Sequence, residues 1–173
     1  MPPLPPLEIV QHVSQKLHLS WELVYAVCLH ETPDGQLIDT CDDGTKSYGW
    51  MKVHAPVLAQ MPGLWGDLNP QDLVDRPELG IEVGCRMLRW WVYEAARALA
   101  LPGYPTLPGD TPDYSRFPAW VATLAPADRA RLYYRAALAY TWPQSLTKFE
   151  QTPGPKLAHA DKIVRTWKEW SGE

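Results

Sequence analysis

The order of apolar and polar residues along the chain reads as a series of helices punctuated by prolines. Ile9, Val13 and Leu17 recur at helical spacing and predict a first helix over about Glu8 to Leu17, led in by Pro5 and Pro6. Ser20 is a good N-cap for a second helix, Trp21 to Glu31. Pro33 stops that helix, because the residue before a proline avoids the α region. Leu23, Val24, Ala26, Val27, Cys28 and Leu29 leave it without a polar face, which predicts a place at the centre of a bundle. A loop rich in Asp, Gly and Thr follows from Asp34 to Ser47, then a short segment from Tyr48 to Met61. Pro77 starts a long helix with Ile81, Gly84, Leu88, Trp91, Ala95 and Leu99 on one face, and Asp75 and Glu78 make its first turn acidic. Pro126 opens another helix through Leu132, Ala136, Ala137 and Tyr140, and Pro143 ends it. Pro155 precedes a last helix with Ile163, Val164, Trp167 and Trp170 facing inward. No alternating β-branched run and no internal repeat stands out.

This pattern predicts an all-α fold, a single domain from residue 8 to 173 behind a Pro-rich tail over residues 1–7. One stretch interrupts it. Leu101 to Ala125 is rich in proline and carries Tyr104, Tyr114, Phe117 and Trp120. A connection this long inside one domain usually has a task, and its prolines and aromatics predict an ordered lid or cleft wall.

Composition narrows the function. The chain has 173 residues, enough for one domain with a real core. Hydrophobic residues at 46% against charged ones at 21% mark it as globular. The net charge of −4 leaves no basic surplus for phosphates, so nucleic acid is not the expected partner. A local basic patch of Lys148, Lys156, Lys162 and Arg165 is available for an anionic polymer. Nine Trp and eight Tyr against two Phe favour amphipathic aromatics, which suit cleft walls that stack on sugar rings, although most of them serve packing. Eighteen Pro and a single Asn suggest stiff loops and few thermolabile amides, a thermophilic trait. Cys28 and Cys85 fall within apolar helical patterns and Cys41 in a loop; reduced thiols are expected over a Cys28–Cys41 or Cys28–Cys85 bridge. No Cys or His spacing resembles a zinc site, so neither a metal nor an organic cofactor is expected. No stretch is long enough to span a membrane, and no signal peptide opens the chain.

Glu31 is the informative residue. It ends a buried helix, where apolar surroundings and the negative end of the helix both disfavour its charge. A carboxyl kept protonated in this way can hand a proton to a glycosidic oxygen.

The segments around Glu31 resemble the lytic transglycosylase family, whose domain shares a core with goose-type lysozyme. Leu23 to Glu31 followed by Thr32 is similar to the family's helix ending in Glu-Ser. Gly49-Trp50-Met51-Lys52-Val53 resembles its Gly-Leu-Met-Gln segment. Pro77 to Gly84, with Met87 and Leu88 after it, looks like its "Pro, two residues, Asn-Ile, two residues, Gly" pattern. Ala139-Tyr140-Thr141 stands for its Ala-Tyr-Asn turn, and His159 to Val164 for its closing helix. The pieces occur in the family's order from about Leu19 to Trp167. Three positions depart from the pattern: Lys52 replaces Gln, Thr141 replaces Asn, and Gly80 replaces the Asn before Ile81. These departures bear on substrate preference.

The resemblance implies a lysozyme-like domain, a monomer, that cleaves the MurNAc-GlcNAc bond of peptidoglycan strands and leaves a 1,6-anhydromuramic end. It implies Glu31 as the one acid and base, Tyr140 as the group that hydrogen-bonds and orients it, and Ser47, Gly49, Trp50, Met51, Lys52 and Thr141 as substrate contacts. Loop hydroxyls Thr40, Thr45 and Ser47 are further candidates for contact with Glu31 or glycan. Made in the cytoplasm without a signal peptide, such an enzyme reaches the wall by another route, which fits phage lysis or a virion, or equally a piece of a longer exported, periplasmic chain with Pro2 to Pro6 as a linker remnant. An inverting hydrolase is the first alternative and needs a second carboxylate; Asp34, Asp39, Asp42 and Asp43 lie in the loop beside Glu31. A degenerate glycan-binding or virion structural domain is the second.

Overall fold

A computed structural model describes residues 3–41, 43–60 and 68–173, with the side chains of 58–60 left aside. The chain is mainly α-helical. Helix α1 spans Leu7–Lys16 and α2 spans Trp21–Glu31. The Ser20 hydroxyl accepts from Leu23 N and so caps α2 as the sequence predicts. Val24, Ala26, Val27 and Cys28 have no exposed surface, and α1 and α8 (Gly154–Ser171) pack against this helix. A helix apolar on every side can be satisfied only in such a place. Helix α5 (Pro77–Ala98) and α7 (Pro126–Thr141) form the largest helix pair, and α7 also meets α8.

The all-α expectation needs a correction. Strands β1 (Ile38–Thr40), β2 (Lys46–Tyr48) and β3 (Val53–His54) form a small antiparallel sheet in the order β1-β2-β3. Thr40 pairs with Lys46, and Ser47 with His54. The predicted short segment from Tyr48 becomes β3 and helix α3 (Ala55–Gln60); Met61 lies outside the described residues. A four-residue helix α4 (Asp72–Asp75) claims Asp75, which leaves Glu78 as the acidic residue in the first turn of α5.

The Leu101 to Ala125 stretch is also more structured than a loop. It contains a hairpin of β4 (Thr106–Leu107) and β5 (Thr111–Pro112), a 3-10 turn at Tyr114–Arg116 and helix α6 (Phe117–Thr123). Its aromatics pack on α5: Tyr93 lies 5.8 Å from Tyr104 and 6.1 Å from Phe117 between ring centroids. The Tyr93 hydroxyl donates to the Asp110 carbonyl at 2.9 Å, and Trp120 Nε1 donates to the Pro102 carbonyl.

Two smaller expectations change. Trp170 is 46% exposed rather than inward, with its ring against Trp21 and Tyr25. In the Pro-rich tail Pro5 is buried and Pro3 lies against Gly35, while Leu4 is exposed. Cys28, Cys41 and Cys85 are free thiols. No helix among the described residues is long and apolar enough to cross a membrane.

Candidate functional site

Glu31 closes α2 at the edge of a cleft of about 730 Å³. The small sheet supplies one part of its lining, through Asp39, Thr40, Ser47 and His54. The connections Cys41, Asp43 and Lys52 extend that part. Met87 and Trp91 come from α5, Tyr140 and Thr141 from the end of α7, and Pro155, Lys156 and His159 from the start of α8. The helix ends meet here because prolines stop or start them: Pro33 after α2, Pro143 after α7 and Pro155 at the start of α8.

Glu31 is partly buried, its side chain 14% exposed. Its partner is His159, whose Nε2 lies 2.9 Å from Glu31 Oε1. With Glu31 ionised, the imidazole N–H donates to the carboxylate. His30, the residue before Glu31, meets Thr166 Oγ1 at 2.8 Å, and its ring lies 6.4 Å from that of His159. Burial, then His159, then Lys162 push the His30 imidazole below its ordinary range.

Tyr140 does not bond Glu31, contrary to what the resemblance implies. Its hydroxyl donates to the Met51 carbonyl at 2.7 Å. Burial and then the nearby Glu31 push the phenol well up, so Tyr140 keeps its proton and acts as a donor. Thr32, next to Glu31, does the matching work on the preceding peptide: its Oγ1 donates to the Trp50 carbonyl at 3.0 Å. Two buried hydroxyls, one just past the end of α2 and one on α7, thus hold successive carbonyls of one turn, from Gly49 to Lys52. That turn is tight. Gly49 has φ +77°, and a Cβ there would come 2.9 Å from the Leu73 carbonyl oxygen. Lys52 has φ +48°, a strained conformation for a lysine, and its Nζ donates to the Gln36 carbonyl.

The predicted site residues therefore separate into two layers. Glu31, Ser47, Lys52, Tyr140 and Thr141 line the cleft. Gly49, Trp50 and Met51 do not; Trp50 and Met51 are buried behind it, and Met51 packs on Gly84 of α5. Thr141 Oγ1 donates back to the Leu138 carbonyl. Thr40 lines the cleft, and Thr45 is engaged with Asp43 and His54 instead of Glu31. Of the basic patch only Lys156 reaches the lining; Lys148, Lys162 and Arg165 are exposed to solvent.

Among the candidate second carboxylates, Asp39 and Asp43 line the cleft. Asp34 does not, and accepts from Gln36 N at the surface. Asp42 lies outside the described residues. Hydrogen bonds from the Thr45 hydroxyl and backbone N–H hold Asp43 below the usual carboxylate range. No residue from Leu101 to Ala125 lines this cleft, so the lid expectation is wrong. The aromatic surface of that segment is consumed by α5.

Sequence reasoning missed His159, His54 and Trp91 as cleft residues. His159 had one usable signal. On a helical wheel it sits one position beside the buried stripe of Ala160, Ile163, Val164 and Trp167, where a polar side chain borders the core. Neither a family model nor a curated protein matches the chain, so the chemistry of this cleft must be argued from its own residues.

Proposed function

We propose that the chain is a peptidoglycan lytic transglycosylase on a lysozyme-like domain, with Glu31 as its acid and base. The observation that carries this reading is a partly buried carboxyl, at the end of helix α2, opening on a cleft of about 730 Å³. The arrangement suits the chemistry. The His159 N–H donates to Oε1 of Glu31, which leaves the other carboxyl oxygen for the glycan. Glu31 delivers its proton to the glycosidic oxygen as the bond to the anomeric carbon breaks. The resulting carboxylate, steadied by His159, takes the proton of the muramoyl 6-hydroxyl, and that oxygen closes on the anomeric carbon as a 1,6-anhydro ring. Glu31 ends as it began, and no water is consumed. Trp91 offers an aromatic surface in the lining of the same cleft.

The inverting-hydrolase reading keeps one specific support: Asp39 and Asp43 share the cleft with Glu31, so a carboxylate is present to activate water. Products separate the two. A transglycosylase leaves 1,6-anhydromuramoyl ends lighter by one water than the reducing ends of a hydrolase. Glu31→Gln keeps shape and removes the proton. Because two proton transfers fail together, turnover on purified sacculi is expected to fall by more than the roughly 100- to 10,000-fold of a single acid–base step, while the far-UV spectrum and glycan binding persist. Full activity in Glu31→Gln rules out both enzymatic readings. Reducing ends together with an inactive Asp39→Asn or Asp43→Asn variant establish the hydrolase.

A further inference from the structure

The sheet edge of the cleft carries a second group of reactive side chains, apart from Glu31. Cys41 follows β1, Asp43 sits in the turn to β2, and His54 ends β3. The backbone brings them together. Cys41 N donates to the Thr45 carbonyl at 2.8 Å and Gly44 N to the Cys41 carbonyl at 2.9 Å, which folds the turn back over itself. The Ser47–His54 pairing places His54 beside the start of β2, next to that turn. One donor atom from each of the three, a thiol sulfur, a carboxylate oxygen and an imidazole nitrogen, lies within 4.8 Å of the others. We propose that Cys41, Asp43 and His54 form a binding site for a zinc-class divalent ion.

The donor set selects the ion. Thiolate and imidazole suit zinc and disfavour calcium and magnesium, which require oxygen. Ligand bonds of about 2.0 to 2.3 Å at tetrahedral angles put donor atoms about 3.3 to 3.8 Å apart. The observed spacing is within a small side-chain adjustment of that range. A built-in stand-in is present: the Thr45 hydroxyl donates to Asp43 and accepts from His54 Nε2–H, so it bridges two of the three ligands. An ion replaces this bridge. As it binds, the Cys41 thiol releases its proton to solvent and the coordinating imidazole nitrogen binds without one. All three residues line the cleft, so the fourth coordination position faces it and takes a water or an oxygen donor of the bound polymer. The ion would also fasten the turn between β1 and β2 to β3 and so stiffen that wall. The sequence concealed the site because the two close ligands are Cys and Asp and the third follows after a strand. The site does not depend on the Glu31 chemistry.

The test uses the whole chain, stripped with a chelator and dialysed. Zinc titrated by calorimetry is expected to saturate at one equivalent and to raise the thermal midpoint. Cobalt is expected to give the near-ultraviolet thiolate charge-transfer band of a Cys ligand. Cys28 and Cys85 are fully buried, with thiols pushed far up by that burial, so Cys41 is the available source. Cys41→Ser should abolish the band and, like His54→Ala, weaken zinc binding at least tenfold, with the far-UV spectrum unchanged. Absence of saturable zinc binding in the native chain overturns the proposal. So does a zinc affinity that either variant leaves unaltered.

Discussion

Glu31 and His159 stand 128 positions apart in the chain and 2.9 Å apart in the cleft. Their bond is the first point at which the molecule's chemistry can be dissected. A hydrogen bond to a charged group is worth about 1.5 to 3 kcal/mol, which corresponds to roughly 10- to 150-fold in rate if it is made to the carboxylate in the transition state. His159→Leu is therefore expected to lower kcat by about that factor and change KM little, and His159→Gln, which keeps an N–H donor, to recover part of the loss. Equal, near-complete inactivity of both variants would assign His159 a proton of its own. Tyr140 makes the opposite prediction. Its hydroxyl holds the Met51 carbonyl, so Tyr140→Phe leaves a buried acceptor unpaired at a cost of about 1 to 3 kcal/mol. Denaturant unfolding should register that loss, with turnover falling much less. A collapse of turnover at unchanged stability would restore the direct contact with Glu31 that the sequence resemblance implies.

At the scale of elements, the turn from Gly49 to Lys52 depends on α5 as well as on the hydroxyls that clamp it. A Cβ added at Gly84 would lie 2.5 Å from both Cβ and Sδ of Met51. Met51 Cβ cannot swing away as a chain end can. Gly84→Ala is expected to cost about 1 to 3 kcal/mol, the range for an overfilled core, and to lower activity by displacing the turn. Thermal unfolding and the sacculus assay check both halves. Gly84 was legible in the sequence as part of a helical face, and so was α2, because Ser20, the apolar run and Pro33 mark its start, its burial and its end. The small sheet was not legible. Its strands have two or three residues, and β1 is exposed throughout, so no alternation of apolar and polar positions could form. Tyr140 lines the cleft, yet its partner was not legible, since the Met51 carbonyl is a backbone atom that any residue supplies. The aromatics after Leu101 pointed to a sugar-stacking wall, but Tyr93 and its neighbours on α5 gave them an apolar surface to cover instead.

For the molecule as a whole, the contact between α2 and α8 should respond to acid. His30 lies in it, facing Glu31, His159, Lys162, Thr166 and Glu169. Its folded pKa is depressed below the ordinary 6.5 by burial first, and then by His159 and Lys162. Above that value the imidazole is neutral in both states and contributes nothing to the pH dependence. As the pH drops below it, the unfolded chain takes the proton first, and stability declines until the folded state protonates too. His30→Gln retains a partner for Thr166 and removes the titration. Its denaturation midpoint should therefore fall less than that of the native chain between about pH 7.5 and about pH 5. Parallel declines would place the acid sensitivity elsewhere.

The hairpin between Thr106 and Pro112 offers a handle. Its tip is exposed, with Gly109 at φ +80° and nothing within 4 Å of the space a side chain would fill. The segment contributes no residue to the cleft lining. A linker spliced between Pro108 and Gly109 would extend into solvent while Tyr93 continues to anchor Asp110. A dye, a surface tether or an entire targeting module could be mounted there, with the cleft left as it stands.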